Sequence, residues 1–333
     1  MTLRTPYLLF IGDAPDQLAA KTAAGIAFWR PDISLGQFRL PGCNADLGLP
    51  DMTIEQGAAA GVKTVIVGTT NRGGVLGEGW EGLLVRALEL GMDLASGLHH
   101  RLSEIPVLRE TAARYGRQIV DVRHPTREFA VGNGLKRPGK RLLTVGTDCS
   151  IGKMFTALAL EREMRGRGLN ADFRATGQTG IFIAGGGVSI DAVVSDFVSG
   201  AVEWLTPAND PDHWDLIEGQ GSLFHASYAG VTLALIHGAQ PDALVMCHEP
   251  IRTHMRGLRH YPLPDLKLCI ERNVEAAQLT NPAVRCVGVS VNTAALDGAA
   301  ARDYLRQTED QLGLPCVDPV RTGVAAIVDR LLG

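Results

Sequence analysis

Short apolar segments alternate along the whole chain with longer segments in which apolar residues recur at helical spacing. The short runs predict buried strands of a parallel sheet, and the amphipathic segments predict the helices that cover it. In the first part, strands are predicted at Leu8–Ile11, Gln37–Leu40, Thr64–Val67, Asp93–Ala95 and Gln118–Val122, and helices at Gln17–Phe28, Ile54–Ala60, Trp80–Leu90 and Val107–Tyr115. This order predicts a small Rossmann-like domain over residues 1–123.

The segment 124–140 contains two prolines and three glycines and predicts a linker, after which the alternation starts again. Strands are then predicted at Arg141–Val145, Ala171–Ala175, Asp215–Ile217, Ala243–Cys247, Arg285–Val291 and near Cys316, and helices at Gly152–Arg167, Asp191–Leu205, Leu266–Ala277, Ala299–Leu312 and Gly323–Leu332. Residues 141–333 are therefore predicted to form a second α/β domain, a doubly wound parallel sheet.

Composition agrees with two packed domains and limits the partners. A chain of 333 residues is long for one core, and its net charge of −4 gives no electrostatic footprint for nucleic acid. No apolar run reaches the roughly 18 residues that a membrane span needs. We therefore expect neither nucleic acid nor a membrane as partner. Small α/β enzymes often pair, so we expect a homo-oligomer.

The six cysteines form no Cys-x-x-Cys pair and have no histidine spacing typical of zinc, so no metal site is predicted. Several lie inside apolar runs, where cysteine behaves as a small buried hydrophobe. We expect a reduced, cytoplasmic protein.

A glycine-rich turn between the predicted strand at 141–145 and the helix at 152–167 predicts a phosphate-binding loop. The loop consists of Gly146, Thr147, Asp148, Cys149, Ser150, Ile151, Gly152, Lys153 and Met154. Backbone N–H groups, the positive end of the helix dipole and the Lys153 ammonium would together bind an anion. Met154 stands where Ser or Thr normally ligates Mg²⁺, and a thioether is a poor ligand for this hard cation. The loop therefore predicts phosphate binding without a standard part for ATP cleavage.

Candidate catalytic residues follow the predicted strand at 215–217. Glu218 begins a glycine turn, where it could act as a base, bind a metal or serve as a structural carboxylate. His225 lies seven residues further along and is a candidate base, or alternatively a packing histidine.

Candidate binding residues follow two other predicted strands. Gln178 and Thr179 lie in a glycine-rich turn, a common place for ligands in α/β sheets, although ordinary connections look similar. Arg252 and Arg259 belong to a basic segment that could clamp carboxylates or could simply form a solvated face. In the predicted Rossmann-like domain, the strand-end loops at 12–13, 69–74 and 96–100 are candidates by position.

Four motifs in order carry a resemblance that covers the whole chain. They are Gly-Thr-Asp-Cys-Ser-Ile-Gly-Lys-Met, Ala-Thr-Gly-Gln-Thr-Gly-Ile, Asp-Ala-Val-Val-Ser-Asp-Phe and Glu-Gly-Gln-Gly-Ser-Leu-Phe-His. The first alone is similar to the loop of dethiobiotin synthetase, a P-loop protein. Together they resemble a P-loop family long of unknown function, whose characterised members are D-glutamate N-acetyltransferases. This resemblance implies a Rossmann-like domain followed by a P-loop NTPase-like domain.

The resemblance also implies an activity, the transfer of an acetyl group from acetyl-CoA to the amine of D-glutamate. Under it, Glu218 or His225 would be the base, and arginines would hold the substrate carboxylates. Two alternatives remain open: an ATP- and Mg²⁺-dependent ligase or kinase like dethiobiotin synthetase, and a non-enzymatic nucleotide sensor. Met154 argues against the first, and Asp148 argues against the second because it stands in place of a signature lysine.

Overall fold

The computed structural model describes residues 3–69, 74 and 76–333, which fall into two compact units. The first comprises the described residues of Met1–Thr126 together with Gly177–Ala192, and the second comprises Arg127–Thr176 and Val193–Gly333. Most of the loop 69–74 proposed as a ligand site lies outside the described residues. No helix in the described part of the chain is both long and apolar enough to cross a membrane.

The first unit is built on a five-stranded parallel sheet in the order β2-β1-β3-β4-β5. Its elements are β1 (Tyr7–Gly12), α1 (Lys21–Trp29), β2 (Ser34–Arg39), α2 (Ile54–Ala59), β3 (Thr64–Val67), α3 (Trp80–Glu89), β4 (Asp93–Ser96), α4 (Pro106–Tyr115) and β5 (Ile119–Asp121). All residues of β1, β3 and β4 are buried, as expected for parallel strands covered on both faces.

The second unit is built on a six-stranded parallel sheet in the order β11-β10-β9-β6-β8-β7. Its elements are β6 (Lys140–Gly146), α5 (Lys153–Gly166), β7 (Ala171–Arg174), α7 (Val198–Leu205), β8 (Trp214–Ile217), α8 (Ala229–Ala239), β9 (Ala243–His248), α9 (Leu266–Gln278), β10 (Arg285–Val291), α10 (Gly298–Leu312), β11 (Cys316–Val317) and α11 (Ala325–Leu332). The remaining α-helix, α6 (Gln178–Ala184), belongs to the first unit and packs on α1.

Side-chain caps begin several of these helices. Thr53 and Gln56 form a reciprocal capping box at α2, and Asp297 accepts two backbone N–H bonds at the start of α10. Such caps satisfy amide groups that have no partner inside the helix, each contributing about 1 kcal/mol.

The predicted α/β fold class is confirmed, and each predicted strand is present, most with ends shifted by one to three residues. The helix predicted over Asp191–Leu205 is wrong in its first half. That part forms short 3₁₀ turns at Ile190–Ala192 and Ser195–Phe197, and the α-helix begins only at Val198. Asp191 belongs to the first unit, where its carboxylate pairs with Arg123, whereas α7 belongs to the second unit, so the predicted helix spans the point at which the chain passes from one unit to the other.

The pattern did not predict α6 and α8. Helix α8 contains two glycines, which lower helix propensity and hide the signal. The structure explains one of them: a Cβ on Gly238 would lie 2.5 Å from the Ser199 carbonyl oxygen. Glycine at this position therefore allows α8 to pack closely on α7.

Candidate functional site

The loop between β6 and α5 has the strand–turn–helix geometry predicted for a phosphate-binding loop. Gly152 has a φ of +112°, and a Cβ on Gly146 would lie 2.6 Å from Ile151 Cδ1. Ser150 also has a positive φ, of 54°. The left-handed conformation explains Gly152, because glycine adopts a positive φ without the steric cost that a side chain brings.

Lys153 lies inside the loop and is only 6% exposed. Its Nζ donates a hydrogen bond to the Asp148 carbonyl oxygen at 2.7 Å, and burial lowers the pKa of the ammonium. The aliphatic stem passes the turn after β8, where a Cβ on Gly219 would lie 3.1 Å from Lys153 Cδ and 1.6 Å from the Thr144 carbonyl oxygen. Gly219 is therefore needed to bring this turn against the loop.

Met154 is half-buried and offers only a thioether at the position after the lysine. The nearby hydroxyl, that of Thr156, is fully buried and directed elsewhere. It donates to the Gly152 carbonyl oxygen at 3.0 Å and shares a hydrogen bond with Ser290 at 2.7 Å. The Thr156 hydroxyl therefore does not take the place of the missing magnesium ligand.

The carboxylate of Asp148 connects the loop to the segment that follows β9. It is fully buried, and its Oδ2 accepts hydrogen bonds from Arg252 Nη1 at 2.7 Å and from the Arg256 N–H at 2.8 Å. Arg252 also donates to the Cys149 carbonyl oxygen at 2.7 Å and pairs with Glu249. Its guanidinium thus contacts the loop itself, and the predicted binding of a substrate carboxylate by Arg252 stays a prediction.

His225 is 2% exposed, and backbone groups engage both of its ring nitrogens. Nδ1 accepts a hydrogen bond from the Ser227 N–H at 3.1 Å. Nε2 lies 3.1 Å from the Arg256 carbonyl oxygen, which can only accept, so Nε2 must carry the proton. Both ring nitrogens are therefore engaged by backbone groups, and the role of His225 as a base stays a prediction.

Glu218 follows β8 directly and is 5% exposed. Its Oε2 accepts the Thr176 N–H at 3.0 Å, and its Oε1 accepts a hydrogen bond from Gln220 Nε2 at 3.2 Å. Burial lowers the pKa of the Lys153 ammonium, and the negative charge of Glu218 partly opposes that shift. The structure therefore brings a buried carboxylate and the phosphate-binding loop into one site.

Cys149 is half-buried inside the loop. Burial raises its pKa, although the charges of Lys153 and Arg256 oppose that shift. The thiol is therefore protonated at neutral pH and is a weak nucleophile.

One group of described residues, Asp148, Cys149 and His225, brings three potential metal ligands within 4.8 Å of one another. The Asp148 carboxylate already binds Arg252, and His225 already binds two backbone groups. A metal ion would have to displace these bonds.

The other candidate binding residues have different surroundings. Gln178 and Thr179 begin α6 in the first unit, where Gln178 accepts a hydrogen bond from Arg123 at 3.0 Å and Thr179 contacts Thr22 at 3.2 Å. Arg259 is exposed in the second unit and forms no ion pair with any residue that the structure describes.

No role for His248 is predicted from the sequence, but the structure places this side chain beside the loop. Its Nδ1 lies 3.1 Å from Thr147 Oγ1, and burial together with the charge of Arg252 lowers its pKa to about 4. Gly146 pairs with Cys247 across neighbouring strands, so the carboxyl ends of β6 and β9 lie side by side. A sequence shows that His248 ends a strand, but it does not show which strand lies next to it.

These features define a two-domain α/β protein with a phosphate-binding loop at the centre of its second unit. Family models match both parts: a Rossmann-like N-terminal domain of unknown function (DUF1611_N) over residues 38–125, and a P-loop C-terminal domain (DUF1611_C) over residues 128–328. The chain belongs to the DUF1611 family.

Full-length relatives support the assignment. The chain is 56% identical over 99% of both chains to a D-glutamate N-acetyltransferase of Tritonibacter scottomollicae. It is 49% identical to a protein of the same name from a Pseudoalteromonas species, over 99% of this chain and all of the relative. A crystal structure of a DUF1611 protein from Anabaena variabilis superposes with a TM-score of 0.85 at 32% identity, covering 98% of this chain and 99% of the other. The predicted family and the predicted enzyme class, acyltransferase, are confirmed.

Proposed function

We propose that the protein transfers the acetyl group of acetyl-CoA to the amine of D-glutamate. The observation that carries the proposal is a phosphate-binding loop with a buried lysine, Lys153, and a thioether, Met154, at the position of the usual magnesium ligand. Coenzyme A presents a pyrophosphate and a 3′-phosphate, which such a loop can bind without hydrolysing them. The names of the two full-length relatives supply the substrate class.

The chemistry requires a base next to the phosphate-binding loop. The amine attacks the thioester carbonyl, a C–N bond forms, the C–S bond breaks, and a proton passes from the amine to the departing thiolate. Of the two predicted catalytic residues, we assign the base to Glu218, because its buried carboxylate follows β8 directly, in the turn that packs against Lys153. Both nitrogens of His225 are engaged.

An acidic amino acid also needs cations and hydrogen-bond donors for its two carboxylates. Arg259 is exposed and forms no ion pair with the described residues, so we assign its guanidinium to this purpose, whereas Arg252 is engaged by Asp148 and Glu249. Gln178 and Thr179, at the start of α6, remain proposed substrate residues.

The proposal is tested by incubating the protein with acetyl-CoA and single amino acids, D-glutamate and L-glutamate first, and following the release of free thiol. We expect release with D-glutamate and none when the amine is omitted. A parallel incubation with Mg·ATP tests the ligase or kinase alternative. Phosphate release from ATP, without thiol release from any amine, would reject the transferase proposal.

A further inference from the structure

The loop between β9 and α9, residues 249–265, contains an arginine whose backbone is held from both sides. The Arg256 N–H donates to Asp148 Oδ2 at 2.8 Å, and its carbonyl oxygen accepts from His225 Nε2 at 3.1 Å. Both holding side chains are nearly inaccessible, at 0% and 2% exposed. The bond to the Asp148 carboxylate is charge-assisted and therefore of the stronger kind, and the bond from His225 adds a second, buried anchor for this backbone position.

The side chain of Arg256, in contrast, has no partner of its own. It is exposed and forms no ion pair within the described part of the chain, whereas Arg252 in the same loop pairs with Asp148 and Glu249. Its positive charge also acts on the thiol of Cys149, inside the phosphate-binding loop. A fixed backbone therefore presents a free guanidinium beside a loop built to bind anions.

We infer that Arg256 binds a phosphate group of the ligand held by the phosphate-binding loop, and that Asp148 and His225 are positioning residues for it. The inference rests on the proposed function, which supplies that phosphate as part of acetyl-CoA. A guanidinium can donate two parallel hydrogen bonds to a phosphate, and its usefulness depends on the placement of its backbone. This gives the buried histidine a role other than that of a base.

Binding of two probes tests the role of Arg256. Titration calorimetry with inorganic pyrophosphate and with coenzyme A compares the wild type with Arg256→Ala and Arg256→Lys. We expect Arg256→Ala to weaken both affinities roughly tenfold or more, and Arg256→Lys to weaken them less. Arg306→Ala, which removes an exposed arginine from α10, is the matched control and leaves both affinities unchanged.

Kinetics separate phosphate from substrate carboxylate as the anion. Arg256→Ala raises the KM for acetyl-CoA and leaves the KM for D-glutamate within about twofold. The opposite pattern would mean that Arg256 binds the amino acid, and it would overturn the inference.

A double-mutant comparison tests the positioning role of His225. His225→Ala should raise the KM for acetyl-CoA while kcat changes little, and adding Arg256→Ala should have little further effect. His225→Gln, whose amide can still donate to the Arg256 carbonyl, should recover most of the loss. A His225→Gln variant with unchanged KM but strongly reduced kcat would show that the histidine is a base.

The outcomes distinguish this inference from the proposed function. If the wild type binds pyrophosphate but not coenzyme A, the acetyl-CoA proposal is rejected. The role of Arg256 is then still decided by whether Arg256→Ala weakens the affinity for pyrophosphate. Equal pyrophosphate affinity in wild type and Arg256→Ala overturns the inference, and a wild type that binds neither probe overturns both.

Discussion

At the site, single side chains differ mainly in whether their polar groups are already occupied. Motif spacing identified Lys153, Glu218, His225 and Arg252 as candidates, but spacing cannot show which lone pairs and N–H groups other parts of the chain use. Arg252 binds Asp148, which lies 104 residues earlier in the chain. Contacts of that range depend on tertiary packing, and for this reason a sequence pattern identifies candidate residues more reliably than their roles.

Replacing Lys153 by methionine removes a charge while keeping a flexible apolar stem. We expect the KM for acetyl-CoA to rise roughly 10- to 100-fold, because a hydrogen bond to a charged phosphate contributes about 1.5–3 kcal/mol. Steady-state kinetics at saturating D-glutamate measure this change. An unchanged KM would show that the loop does not bind the acyl donor.

Glu218→Gln keeps the shape of the side chain and removes its basicity. We expect kcat to fall by roughly 100-fold or more, the usual contribution of a general base, with little change in the KM for acetyl-CoA. Thermal unfolding of the variant serves as the control, because it shows whether loss of the carboxylate contacts with Thr176 and Gln220 lowers stability. A Glu218→Gln variant with wild-type kcat would remove Glu218 from the mechanism.

His248 makes stability depend on pH. Its pKa is lowered from 6.5 to about 4, so below pH 6.5 the unfolded chain binds a proton that the folded chain does not. The free energy of unfolding therefore falls as the pH drops from about 6.5 to 4, by at most about 3 kcal/mol from this group. Urea unfolding across this range should show a shallower decline for His248→Gln, while His100→Gln, which replaces an exposed histidine, should follow the wild type.

At the scale of elements, the strands could be predicted and two helices could not. Parallel strands buried on both faces give continuous apolar runs, which a sequence shows directly. In α6 and α8 the glycines weaken the helical signal, and for α8 tertiary packing explains one of them. Helix propensity does not predict a helix at positions where close packing between two helices requires glycine.

Helix α8 offers a matched pair of glycines that tests this explanation. Gly238→Ala places a methyl group 2.5 Å from the Ser199 carbonyl oxygen and should lower the free energy of unfolding by about 1–3 kcal/mol. Gly230→Ala meets open space on the same helix and should raise it by up to about 1 kcal/mol. Equal effects in urea unfolding would contradict the packing explanation.

At the scale of the whole molecule, the chain passes between the two units more than once. The chain leaves the first unit at residue 126, returns to it for residues 177–192, and leaves it again. Sequence periodicity cannot reveal such a return, because α6 and its neighbours look the same whichever unit they pack in.

The path predicts how fragments behave. A fragment of residues 127–333 retains Ile181, Phe182 and Ile183, which are buried in the intact first unit, but lacks the rest of that unit. We expect this fragment to aggregate during size-exclusion chromatography, and a version with residues 177–192 replaced by a Gly/Ser linker to aggregate less. Equal recovery of the two fragments as monomers would contradict the expectation.

The same path constrains how this protein can be recombined with its relatives. A chimera made at a single junction near residue 126 would join a first unit from one parent to a return segment from the other, mixing parental side chains where α6 packs on α1. Keeping each unit from one parent requires exchanging residues 177–192 together with the N-terminal part. Single-crossover libraries should therefore yield fewer folded members than libraries that move both segments together.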